Sequence, residues 1–259
     1  MYQYLLFTNA DGVVRISLNR PAVHHALSLD LIREITQAIV AAHQDASVRV
    51  VVITGEGEKA FCSGADLKAA MESGKSAGEM LREAYNPMIE AIRNIPKPVI
   101  CRLNGLAVGA GCSLALACDL IIAHEEVYLS QMFVHIGLMP DAGACFFLPR
   151  LVGLAKAFEL ASTGRKVFAP EAVQIGLIGR SVPKEKLDDA VEEAVLYYSN
   201  APTKAIGAMK QVLNQSYVSN LTEILSLEAE NQDLLYKTRD AREGISSFFK
   251  KQKPDYQGE

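Results

Sequence analysis

The stretch that most constrains this chain runs from Lys97 to Asp119. An apolar, β-leaning run, Pro98-Val99-Ile100-Cys101-Arg102-Leu103, stops at Asn104-Gly105, and a small-residue turn through Gly109-Ala110-Gly111 opens the run Ser113-Leu114-Ala115-Leu116-Ala117-Cys118. That order predicts strand, glycine turn, helix. Glycines at such a turn let backbone approach a ligand closely, and the first N–H groups of the helix lack intrahelical partners while sitting at the positive end of its dipole. The turn can therefore hold an oxyanion. The same small residues also serve close helix packing with no chemistry attached, and a lone Gly-x-Gly does not separate the two readings.

A second stretch, Ala60-Phe61-Cys62-Ser63-Gly64-Ala65-Asp66-Leu67, follows another buried-looking strand, residues 48–54, and the polar turn Gly55-Glu56-Gly57-Glu58-Lys59. Here too a small-residue turn leads into a helix. Two strand-end turns can aim one backbone donor apiece at a single carbonyl oxygen, which is the geometry of an oxyanion hole.

The pair, Ser63-Gly64-Ala65-Asp66 and Asn104-Gly105 through Cys118-Asp119, resembles the signature of the crotonase (enoyl-CoA hydratase/isomerase) superfamily. The likeness runs from Leu18-Asn19-Arg20-Pro21 to Glu243-Gly244 and Lys253-Pro254. It implies an α/β fold, a crotonase-like ββα spiral core over residues 1–200 with a C-terminal helical trimerisation region over 201–259. It also implies an acyl-CoA thioester substrate, so that coenzyme A is part of the substrate and no separate cofactor or metal is expected. By the resemblance, the amides of Ser63 and Ala110 bind the thioester oxygen. Substrate contacts are implied for Gly64, Ala65, Asp66, Leu67 and Gly109 in the two turns, for His24 and Ala26 along the CoA portion, and for Phe133 and Phe249. The position of His25 is commonly asparagine in the family, a departure expected to alter those contacts. A trimer, or a hexamer of paired trimers, is the implied assembly.

Hydratases of this family hold and activate water with two glutamates, and the resemblance puts Ser113 and Phe133 in those slots. Neither side chain can take a proton from water near neutral pH. One acid remains, Asp141 in Gly137-Leu138-Met139-Pro140-Asp141-Ala142-Gly143. Its apolar neighbours suit a desolvated carboxylate of raised pKa, while Pro-Asp before Ala-Gly is also ordinary turn or helix-cap chemistry. Some isomerases of the superfamily, including Δ3,Δ2-enoyl-CoA and ring-1,2-epoxyphenylacetyl-CoA isomerases, carry a single catalytic acid here. The resemblance therefore implies an acyl-CoA isomerase, catalysing a double-bond shift or the related epoxide-to-oxepin rearrangement, with Asp141 as proton shuttle. The alternatives are a hydratase with an atypical acid, an aryl-CoA dehalogenase, and a catalytically silent acyl-CoA-binding subunit.

The 259 residues, 49% hydrophobic and 22% charged, suffice for a sizeable core, and a net charge of −4 offers no footprint for nucleic acid. Five cysteines without a CxxC pair read as small core residues of a reducing compartment. With no basic leader, and no run reaching the roughly 18 unbroken apolar residues of a membrane span, a cytoplasmic protein is expected.

Alternation predicts a hairpin of residues 2–8 with Val13–Leu18 about Asp11-Gly12, and Ser28 caps a helix reaching Gln44. Residues 72–78 read as a polar loop suited to a lid or to plain surface. From Leu154 onward the pattern is almost wholly helical. Lys250, Lys251 and Lys253 beside Phe248 and Phe249 read either as a solvated face or as an anchor for CoA phosphates.

Overall fold

The computed structural model describes residues 2–259, and its strands wind between two sheets. In chain order they are β1 (Leu5–Ala10), β2 (Val13–Leu18), β3 (Val50–Gly55), β4 (Ala60–Cys62), β5 (Val99–Leu103), β6 (Leu106–Val108), β7 (Leu120–His124), β8 (Tyr128–Ser130), β9 (Val167–Phe168) and β10 (Arg180–Val182). The six-stranded sheet has the order β1-β2-β3-β5-β7-β10, and the smaller one β4-β6-β8-β9. Each pair β3–β4, β5–β6 and β7–β8 places one strand in each sheet before the chain turns into helix, so the turns stack as a ββα spiral. The two- and three-residue strands of the second sheet carry too little alternation to be read from sequence.

The hairpin forms as expected because Asp11 and Gly12 both take positive φ, 53° and 76°, the conformation of a two-residue turn whose twist matches its strands. Helix α1 (Leu29–Gln44) starts where the Ser28 hydroxyl accepts the Leu31 N–H and buries Leu31, Ile32, Ile35, Ala38, Ile39 and Ala42 at helical spacing. The chain then forms α2 (Leu67–Glu72), α3 (Ala77–Met80), a π turn (Leu81–Tyr85), α4 (Asn86–Asn94) and α5 (Ala110–Ala117). The loop expected over 72–78 is shorter: α2 reaches Glu72, and a Ser76–Glu79 capping box starts α3.

After β8 come α6 (Ala144–Val152), α7 (Leu154–Thr163), α8 (Ala169–Gln174) and α9 (Leu187–Ser199). The last helices are α10 (Thr203–Gln215), α11 (Leu221–Leu235) and α12 (Arg239–Lys250). The tail is thus not wholly helical, since β9 and β10 interrupt it and extend the two sheets. Helix α9 packs Leu187, Ala190, Val191 and Val195 on Val50, Val52, Ile100 and Ile122 of the larger sheet, whose other face meets the main core. Burial on both faces explains why β3, β5 and β7 read as continuous apolar runs.

One side chain ties the carboxyl ends of these strands together. Asn104 is 3% exposed; its Oδ1 accepts from the Gly55 N–H and the Thr54 hydroxyl at 3.0 Å each, and its Nδ2 donates to Gly57 O at 2.7 Å and Ala60 O at 3.2 Å. Removing it strands several buried polar groups. Asn104→Ala is expected to lower unfolding free energy by about 3 kcal/mol in denaturant titration, and Asn104→Asp, which keeps the acceptor and loses both donated bonds, is expected to be destabilised as well.

Candidate active site

The first turn leaves β4 at Cys62 and reaches α2 through Gly64, whose φ is +98°. A Cβ at Gly64 would stand 2.8 Å from Val108 O and 3.5 Å from Ala110 N, so glycine is what allows this turn to lie against the second one. Leu27 N–H donates to Gly64 O at 2.7 Å, and Asp66 N–H to Leu27 O at 3.0 Å. Between them the Ala65 N–H has no acceptor among the described residues. The Ser63 N–H does have one, the His24 carbonyl at 3.0 Å. This corrects the expectation that Ser63 supplies the first donor: its amide is committed to the neighbouring loop, the Gly64 N–H faces the Cys62 thiol, and the Ala65 N–H is left free.

Asp66 is likewise occupied. Its Oδ1 accepts the Ala69 N–H at 3.1 Å, capping α2, and its Oδ2 pairs with Arg20 at 2.9 Å. Burial pushes the Asp66 pKa up, but the Ala69 N–H and Arg20 together outweigh it and hold the carboxyl below its ordinary value. Arg20 also donates to Ala26 O. Asp66, Arg20 and Ala26 thus brace the turn, which is a different task from the ligand contact expected of Asp66 and Ala26. His24 is exposed and Leu67 half exposed at the rim. His25 is buried; its Nδ1 accepts from Arg20 N–H and its Nε2 donates to Glu56 O, both at 3.0 Å. Burial lowers its pKa, so the ring is a neutral strut inside the loop.

The second turn runs from β6 through Gly109 (φ 54°, ψ −128°) into α5, all of whose residues are buried. Gly109 N–H donates to Ser130 O at 2.8 Å, and Ala110, first in the helix, presents an N–H without an acceptor among the described residues. The Ser113 hydroxyl turns back to Gly109 O at 3.3 Å, and the Phe133 ring lies 3.9 Å from where a Gly109 Cβ would be. No carboxylate occupies either position.

Asp141 follows a short 3-10 helix, Met132–Ile136, and precedes two left-handed residues, Ala142 (φ 47°) and Gly143 (φ 84°), that start α6. A positive φ at alanine costs backbone energy and marks a turn held by its surroundings. The turn-cap reading of Asp141 fails, because α6 has no side-chain cap and Asp141 Oδ1 is buried without a hydrogen-bond partner among the described residues. Burial raises its pKa from 3.8 to about 6.

Two site features escaped the sequence reading. Tyr85, buried at 6% exposure, donates its hydroxyl to Leu27 O at 3.4 Å. Asn104 braces the turn leading to β4, as described above. Phe249 moves the other way. It is 79% exposed on α12, whose anchors are Asp240 with the 257 and 258 amides, and Arg49 with Tyr256 O, at the amino end of β3. Within one chain its ring faces solvent, and none of these anchors belongs to either donor turn. Concavities of 790 Å³ and 850 Å³ also lie by α10–α12, away from the amides.

The comparisons with known proteins show the family. The enoyl-CoA hydratase/isomerase family model matches residues 8–259, and the chain belongs to that family, within the crotonase superfamily, as an enzyme of its hydratase/isomerase class. It is similar to a probable enoyl-CoA hydratase of Rhodobacter capsulatus, at 37% identity over 257 residues and 99% of each chain. It is also similar to the 1,2-epoxyphenylacetyl-CoA isomerase of Escherichia coli, at 32% identity over 262 residues and 100% of each. The crystal structure of an enoyl-CoA hydratase from Bacillus anthracis superposes with a TM-score of 0.91 at 35% identity, covering 99% of this chain and 100% of that one. Among the described residues no helix is long and apolar enough to cross a membrane.

The orphaned acid has a thermodynamic consequence. Its pKa is raised on folding, so its ionisation opposes folding: the native state is free of this cost below about pH 4, and stability is lost as pH rises from 3.8 through about 6. Asp141→Asn is therefore expected to gain about 1 kcal/mol on wild type between pH 4 and pH 8, after allowance for partial solvation, as measured by urea unfolding at both pH values.

Proposed function

We propose that the protein is an acyl-CoA isomerase. The Ala65 and Ala110 amides hold the thioester oxygen, and Asp141 takes a proton from the carbon beside the thioester and returns it two carbons along. The observation that carries this reading is Asp141, the one acid among the described residues with a buried oxygen left unpartnered, together with Ser113 and Phe133, which supply no second carboxylate. As the C–H bond breaks, its electrons move onto the thioester oxygen as an enolate. Donors already fixed by Gly64 and Gly109 stabilise that charge without reorganising. Protonation at the far carbon moves the double bond and regenerates the carboxylate, so no bound water is needed. His24, Leu67 and the Phe133 ring form the rim and wall against which the thioester would lie. The likeness to the Escherichia coli isomerase supports the reading.

The likeness to the Rhodobacter capsulatus enzyme favours a second reading, hydration through Asp141 as the lone acid. Deuterium exchange at the acyl α-carbon, double-bond migration in a 3-enoyl-CoA and hydration of crotonyl-CoA separate the cases. Isomerisation and exchange without hydration support our reading, hydration overturns it, and tight acyl-CoA binding with no exchange marks a silent binder.

Because the base must be ionised, kcat/KM should rise with pH through about 6 and then level. Asp141→Asn should lower exchange by roughly 10²–10⁴-fold. Ala110→Pro removes one donor at a first-turn position that proline tolerates, and should lower turnover by roughly 10²–10³-fold while circular dichroism is retained. We further propose that a second copy covers Phe248 and Phe249, which are 78% and 79% exposed. Light scattering should then give a trimer or hexamer, and Phe248→Ser/Phe249→Ser should dissociate it.

A further inference from the structure

Continuous helix would run from α3 into α4, but Pro87 stands in its path. Proline has no N–H to give and its ring crowds the carbonyl one turn back, so the helix widens: Asn86 N–H reaches Leu81 O, five residues away. This π turn ends at Tyr85. The chain is regular α-helix beyond it, so Tyr85 and Ile89 share one face. The Ile89 Cγ2 atom lies 3.4 Å from where a Gly143 Cβ would be, so this face packs on the turn that carries Asp141. One helical turn earlier, the Tyr85 hydroxyl meets Leu27 O, the same carbonyl that receives the Asp66 N–H beside the free Ala65 amide. The hydroxyl thus meets the first donor turn on the helix face that, one turn later, packs on the loop of the acid, and the Asp141 charge acts on it.

Its present bond is weak. At 3.4 Å to Leu27 O it is well beyond the usual O–H···O separation of about 2.7–2.8 Å. Burial, and next the Asp141 charge, raise the Tyr85 pKa, so the phenol remains a donor throughout the working range. Cys62 and Asp66 also face Tyr85, but the Cys62 thiol is bonded to His25 O and kept neutral by burial, and Asp66 is held by Arg20 and Ala69 N–H. From α6 the Cys145 thiol faces Asp141, yet it donates to Pro140 O at 3.3 Å. Tyr85 is therefore the neighbouring donor with least to lose by turning, and Asp141 Oδ1 is the acceptor without a donor.

We propose that Tyr85 is a positioning residue for Asp141, its hydroxyl turning from the Leu27 carbonyl to the carboxylate when the acid is ionised and back when the acid holds the substrate's proton. The carboxylate is thereby held in one orientation before proton abstraction and released once it is neutral, and no bond to Tyr85 is made or broken. The proposal rests on Asp141 being the base.

The experiment is the pH profile of α-carbon deuterium exchange on a 3-enoyl-CoA, with full-length protein. Tyr85→Phe removes a donor that favours the charged acid, so the acid limb should move up by about one pH unit, with a lower plateau. Replacement of Tyr85 by 3-fluorotyrosine, a stronger donor of nearly the same shape, should move the limb down. Opposite shifts in the two variants support the proposal. An unmoved limb in either, whatever the change in thermal stability, overturns it, because a hydroxyl that merely ties the helix to Leu27 has no reason to shift the acid. Asp141→Asn separates the two levels. If it loses exchange while the Tyr85 limbs stay put, only the Tyr85 role is wrong; if it retains exchange, the base assignment falls and this proposal with it.

Discussion

Everything at this site depends on how closely two peptide turns can approach. The smaller sheet pairs β4 with β6, and beyond their ends a Cβ at Gly64 would press on Val108 O at 2.8 Å while one at Gly111 would press on Cys62 O at 2.3 Å. Two missing side chains thus set the spacing between the Ala65 and Ala110 amides. The larger sheet, braced by Asn104 and buried by α9 on its outer face, keeps the strand ends from drifting. A donor pair that is fixed before the ligand arrives loses nothing to reorganisation when charge develops.

Against that rigid pair stands an acid kept at a thermodynamic cost. An aspartate with a buried, unpartnered oxygen beside an alanine of positive φ is not what a chain selected for stability alone would keep. Partnering Asp141 with an arginine, as Asp66 is partnered, would relieve the cost and leave a carboxylate too weakly basic to take a proton from carbon. The two aspartates make the contrast within one site: the paired one builds the turn, and the unpaired one is free for chemistry.

Much of this was legible before any coordinates. The apolar runs, the Ser28 cap, the Asp-Gly hairpin turn and the strand-turn-helix order follow from local pattern, whereas Asp141 stands out only through the family resemblance. The identity of the first donor was not. Three successive peptide groups share the 63–65 turn, and Ser63 is eliminated only by the His24 carbonyl some forty residues away in sequence, a contact no spacing rule contains. Tyr85 was hidden for a similar reason, because its direction depends on the π turn that Pro87 forces. Phe249 is exposed in one chain, where α12 is anchored at the amino end of β3, so its expected contact rests on the proposed assembly. His25, in turn, is a neutral strut inside its loop, with both ring nitrogens bonded to backbone.

Both donors are main-chain groups, so almost no side-chain replacement can delete them; only proline removes an N–H. Acids, hydroxyls and rings around them are free to vary, as Ser113 and Phe133 illustrate. In the proposed reaction the peptide scaffold is a fixed electrode for thioester charge, and mutation is left to rewrite which atom beside it delivers or removes the proton.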